Sequence, residues 1–139
     1  MTELDQPEFQ PIDQLPLLAL HMSGGLTVAE MTLTTLKQAS TNERRLTDAD
    51  VARLSREWAL SRDELVEFYV EQGRRWQALE LSEVERGDVE EFVALVAKVL
   101  QVSDEILATL EGLKGETVEA ILARGGEHLG LDRLLGEQP

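Results

Sequence analysis

Cysteine is absent from this chain, and histidine occurs only twice, as His21 and His128. Without thiolates there is neither a disulfide framework nor a cysteine-held metal. A di-iron carboxylate bundle needs Glu-x-x-His twice, but the residues three before the histidines are Leu18 and Gly125. No metal site, cofactor site or catalytic constellation is expected. Glycine-rich "MSGGLT" has no Lys-Ser/Thr ending, so it is not a phosphate loop. "GGEHLG" follows no strand, so it is not a dinucleotide fingerprint.

Aromatics make up only 4% of the residues, and Leu, Val and Ala dominate the apolar set, which suits packed helices. No apolar run reaches the length of a membrane span, and "MTELDQPEFQ" has neither the basic nor the apolar part of a signal peptide. A cytoplasmic protein is the expectation.

Positive charge is scarce. Against 27 acidic residues stand 13 basic ones, a net charge of −14. That balance disfavours non-specific attachment to phosphate backbones or anionic membranes. Arginine is concentrated in one region: residues 43–80 hold seven, among them Arg53, Arg56 and Arg62.

The helical pattern organises the chain into three parts. Residues 1–25 read as a loosely structured leader with a short apolar piece, Leu15 to Met22, ended by Ser23-Gly24-Gly25. Residues 26–124 read as a helical bundle. Thr27 and Glu30 suit a capping box for a helix to about Ala39. Long helices are expected at 48–80 and 88–123, the first after Thr47 and the second opened by Asp88 with Glu91. Gly125-Gly126 should stop the last helical stretch, leaving 125–139 as a hinged segment with Leu131, Leu134 and Leu135 at helical spacing. The expected fold is all-α, an antiparallel hairpin of two long helices with shorter helices packed on it.

"VARLSREWALSRDELVEFYVEQ", residues 51–72, has two readings. Leu54, Ser55, Trp58, Ala59, Leu60, Ser61, Leu65 and Phe68 approximate a helix-turn-helix, and a similar pattern recurs 42 residues later. But 42 is six sevens, and Val51, Leu54, Trp58, Ser61, Leu65, Phe68 and Gln72 step by three and four without a slip. So do Val93, Val96, Leu100, Ser103, Leu107, Leu110 and Lys114. Two continuous helices with heptad-like seams explain both observations. The supposed recognition helix would also present Asp63, Glu64, Glu67 and Glu71 to a polyanion, which is electrostatically wrong.

The function expected is therefore a non-enzymatic protein-interaction module: a small acidic adaptor, scaffold or regulatory subunit. The alternative is a helix-turn-helix DNA-binding regulator using the Arg-rich 44–75 region; a third reading is an acidic inhibitor that mimics nucleic acid. Candidate partner-binding residues are Leu131, Leu134, Leu135, Arg53, Arg56 and Arg62. An unidentified protein partner is expected, with no membrane and no nucleic acid. A homodimer is also expected, because a helix confined to 27–39 is too short to cover the seam of a long hairpin.

Overall fold

The structure, a computed structural model, describes residues 8–39 and 45–127, with the side chains of 124–127 left aside. It is all-α, a bundle with three long helical rods. Helix α1 is Leu15–Ala39. The second rod, residues 48–77, is α2 (Asp48–Glu64), a π-helical stretch (Leu65–Val70) and α3 (Glu71–Gln77) in unbroken succession. Helix α4 is Glu83–Leu113, and α5 is Val118–Glu127.

Two buried clusters fix the topology. One joins Leu15 and Met22 of α1, Leu65, Tyr69 and Trp76 of the second rod, and Val89 to Val99 of α4. The other joins Ala29 to Leu36, Val51, and Val102 to Leu113. Residue numbers rise together along α1 and α4 and fall along the second rod, so the bundle runs up, down, up. Helix α4 packs on both other rods to a similar extent. That agrees with a helix apolar around much of its circumference. Its core seam is Val89, Phe92, Val96, Val99, Ser103, Ile106, Leu110 and Leu113. This is a three-four ladder turned slightly from the expected one: Val93, Leu100 and Leu107 are half-buried and Lys114 is exposed.

The residues 51–72 form one helical course. Asp48–Glu64 is α-helix without interruption, so no turn separates Ala59 from Ser61, and the right-handed helical angles of Glu64, Leu65, Val70 and Glu71 carry the course onward. Thr47 caps this rod as expected. Its hydroxyl accepts from the Asp50 N–H at 3.1 Å, and the Asp50 carboxylate accepts from the Thr47 N–H at 3.2 Å. The π stretch inserts extra backbone into one turn and lets neighbouring Phe68 and Tyr69 both meet aromatic partners, Phe9 and His21.

Several expectations are corrected. Helix α1 does not break at Ser23-Gly24-Gly25, because Leu15 and Met22 bury on the same side as Ala29, Leu33 and Leu36, and that packing outweighs two poor helix formers. Thr27 is consequently an interior residue whose hydroxyl donates back to the Ser23 carbonyl at 3.2 Å, not a cap. Nor are residues 8–12 loose, since Phe9 stacks on Phe68 and Gln10 bonds to Gln72 and Trp76. Helix α4 starts at Glu83, five residues before Asp88, because Ser82 and Glu85 make the capping box.

At its far end α4 gives way at Lys114 and Gly115, and α5 runs across Gly125 and Gly126, where a stop was expected. Two helix starts are knitted together here. The Thr117 hydroxyl donates to the Asp48 carboxylate at 2.6 Å, and the Asp48 N–H donates to Glu119 at 2.9 Å. Arg45 pairs with Glu116 at 3.0 Å beside them. Finally, α1 at 25 residues is about 37 Å long. It covers the seam, and the length mismatch behind the expected dimer is absent.

Candidate functional site

Helix α1 is apolar on two sides. At about 100° per residue, Leu17, Leu20, Val28 and Met31 all lie within about 40° of the direction of Gly24. Of the buried residues of α1, Leu15, Met22, Ala29, Leu33 and Leu36 point away, between about 120° and 180° from it, while Ala39 at the helix end stands about 60° from it. The four apolar residues are 61%, 72%, 57% and 65% exposed. They are large side chains in one line on a face that no other described element covers. Such a line forms a patch on the order of a few hundred Å², the size at which exposed apolar surface marks an interaction site.

Charge is missing from this line. Between Leu15 and Ala39 the charged residues are Glu30 and Lys37, both more than about 100° around the helix from Gly24. In a chain of net charge −14 this is the one long helix nearly free of carboxylates.

The line borders a cleft of about 520 Å³ between α1 and the second rod at the start of the π stretch. Gly24 and Gly25 form part of its α1 wall, and a Cβ at either would meet nothing within 4 Å. Trp58, Ser61, Glu64, Leu65 and Tyr69 line the opposite side. The His21 ring stacks against Tyr69 with centroids 6.0 Å apart. Burial, with the nearby Glu64 charge second, pushes the Tyr69 phenol above its ordinary value of 10.0. His21 thus meets Tyr69 ring to ring and forms part of the wall of the cleft. Among the described residues no three His, Asp or Glu side chains gather to hold a metal. What the site offers is an apolar surface with a few polar groups at its edge, which suits the side of a helix.

No family model, no curated protein and no solved structure matches the chain.

The residues chosen from sequence fall elsewhere. Leu131, Leu134 and Leu135 lie outside the described residues. Arg53 pairs with Asp50 and Glu57 along its own helix. Arg62 crosses to Asp104 of α4, which raises its pKa through a hydrogen bond and charge. Arg56 is exposed and has no ion-pair partner among the described residues. Six residues separate Arg56 from Arg62, about 120° around the helix, so no single arginine patch forms. A stop at Gly24-Gly25, as the sequence suggests, hides the α1 stripe. Carried through the glycines, the spacing of Leu17, Leu20, Val28 and Met31 displays it.

Proposed function

We propose that this chain is a non-enzymatic interaction module whose working surface is the outer face of α1 and the adjoining cleft. The observation that carries the reading is the exposed line Leu17, Leu20, Val28 and Met31 with Gly24 at its centre. Two adjacent glycines cost a helix interior about 2 kcal/mol relative to alanine. Nothing packed among the described residues requires them, since added Cβ atoms would stand in open space. Glycines in that position serve close approach by something outside the chain. A partner helix fits, because the surface is long, narrow and apolar.

The test is partner recovery from native cells by the parent protein and by the double variant Leu17→Glu/Met31→Glu. Both positions are exposed, so the variant keeps its fold and melting temperature. The parent retains a specific protein that the variant loses. Identical recoveries by both would remove α1 from the function.

A further inference from the structure

The apolar line on α1 is symmetric in sequence about its central glycine. Leu20 and Val28 stand four residues to either side of Gly24, and Leu17 and Met31 stand seven. A surface of this kind is complementary to itself under a two-fold rotation, the property an isologous contact requires. We propose that the occupant of the α1 face is a second copy of this chain, with two α1 helices crossing antiparallel at Gly24. This rests on the reading of that face as an interaction surface.

In the crossing, Leu20 of each copy faces Val28 of the other, and Leu17 faces Met31. Helix axes approach to about 8 Å only where the contacting side chains are small. Gly24 meets that requirement at the axis itself, with no packed neighbour among the described residues within 4 Å of where a Cβ would be. Charge selects the same face. Two copies carry −14 each, and elsewhere on the bundle acidic residues outnumber basic ones, so contact there sets like charges together. The stripe carries none. Two patches with their flanking Thr27 and Thr35 bury on the order of 1,000 Å², near the low end of specific interfaces. A dissociation constant on the order of micromolar is expected for a contact of that size. Salt should tighten it, by screening the net repulsion while leaving the apolar contact intact.

Sedimentation equilibrium across a wide concentration range tests this with four variants. The parent shows a monomer–dimer equilibrium that strengthens with salt. Gly24→Glu keeps or improves α1, because glutamate is the better helix former, and shifts the mass to monomer. Leu20→Glu and Val28→Lys each weaken association at least tenfold. The double variant Leu20→Glu/Val28→Lys restores much of it, because each Glu then faces a Lys across the axis; this dimer weakens with salt. A parent that stays monomeric throughout, or a dimer that Gly24→Glu leaves intact, overturns the proposal. If such a protein still recovers a cellular partner that Leu17→Glu/Met31→Glu loses, the interaction reading survives without self-association. If neither is seen, both fall.

Discussion

Gln72 holds Gln10 by both of its backbone groups. The Gln10 N–H donates to Gln72 Oε1 at 2.6 Å, and Gln72 Nε2 donates to the Gln10 carbonyl at 3.2 Å. The same carbonyl accepts from the Trp76 indole at 3.0 Å. Gln72 and Trp76 are each only 1% exposed, so these bonds are made where water cannot replace them. Phe9, next in the chain, is sandwiched between the Phe68 ring at 5.5 Å and the Arg75 guanidinium at 4.0 Å. Gln72→Leu removes both bonds and leaves the Gln10 N–H without its partner. Urea denaturation should show a loss of about 1–3 kcal/mol. An unchanged midpoint would mean that residues 8–11 contribute nothing to the fold.

The second rod runs through residue 60 as helix, and Leu60 is exposed, so its side chain is dispensable. Leu60→Pro should cost about 3 kcal/mol or more by deleting a backbone bond and clashing with the preceding turn. Leu60→Ala should cost almost nothing. Similar thermal midpoints for the two variants would restore a turn before Ser61.

Glycine and serine in the interior separate packing from propensity. A Cβ at Gly73 would lie 2.9 Å from Val93 Cγ2 and 3.7 Å from the Phe92 ring, so Gly73→Ala should destabilise. Gly25→Ala, with open space around it, should stabilise by about 1 kcal/mol. Ser103 is fully buried, with no hydrogen-bond partner for its hydroxyl among the described residues. Ser103→Ala should also stabilise, by about 1 kcal/mol, because it removes an unsatisfied polar group. The same sign for Gly73→Ala and Gly25→Ala would contradict the packing described.

Tyr69 is the only tyrosine, so tyrosinate absorbance reports it alone. Its ionisation midpoint in the folded protein should lie above 10.0, because burial and Glu64 oppose the phenolate. A pKa raised on folding stabilises the protein fully below 10.0, and that stability is lost as pH rises through the folded value. Glu64→Gln should bring the midpoint partly back. A midpoint at or below 10.0 would place Tyr69 in water.

Much of the architecture was legible because burial follows period. The continuity of the helix through 51–72 and its start after Thr47 were readable, as was the apolar girth of 89–110. The buried seam of that rod was not, because the π stretch moves burial to Tyr69 and Trp76 while Ser61 is exposed. The extent of α1 was not, because local propensity and tertiary packing disagree at Gly24-Gly25 and packing prevails. The start of α4 lies at Ser82 and Glu85, not at the expected Asp88 and Glu91, because the first pair makes the capping box in the fold. The Gln10–Gln72 pair and the Thr117–Asp48 bond join residues more than sixty apart. No local pattern announces such contacts. Arginine density suggested a binding patch, but helical rotation places Arg62 over Asp104 and away from Arg56.

Because the chain has no cysteine, single introduced thiols give the most direct reading of the α1 surface. At a crossing with helix axes about 8 Å apart, facing Cα atoms come within disulfide reach of about 4.4–6.8 Å. Gly24→Cys should close a disulfide between two copies under mild oxidation, while Glu30→Cys, on another side of α1, should not. Leu17→Cys and Met31→Cys should link to each other when mixed, faster than either links to itself. Equal rates for all four proteins, or a preference of Leu17→Cys for itself, would contradict the account.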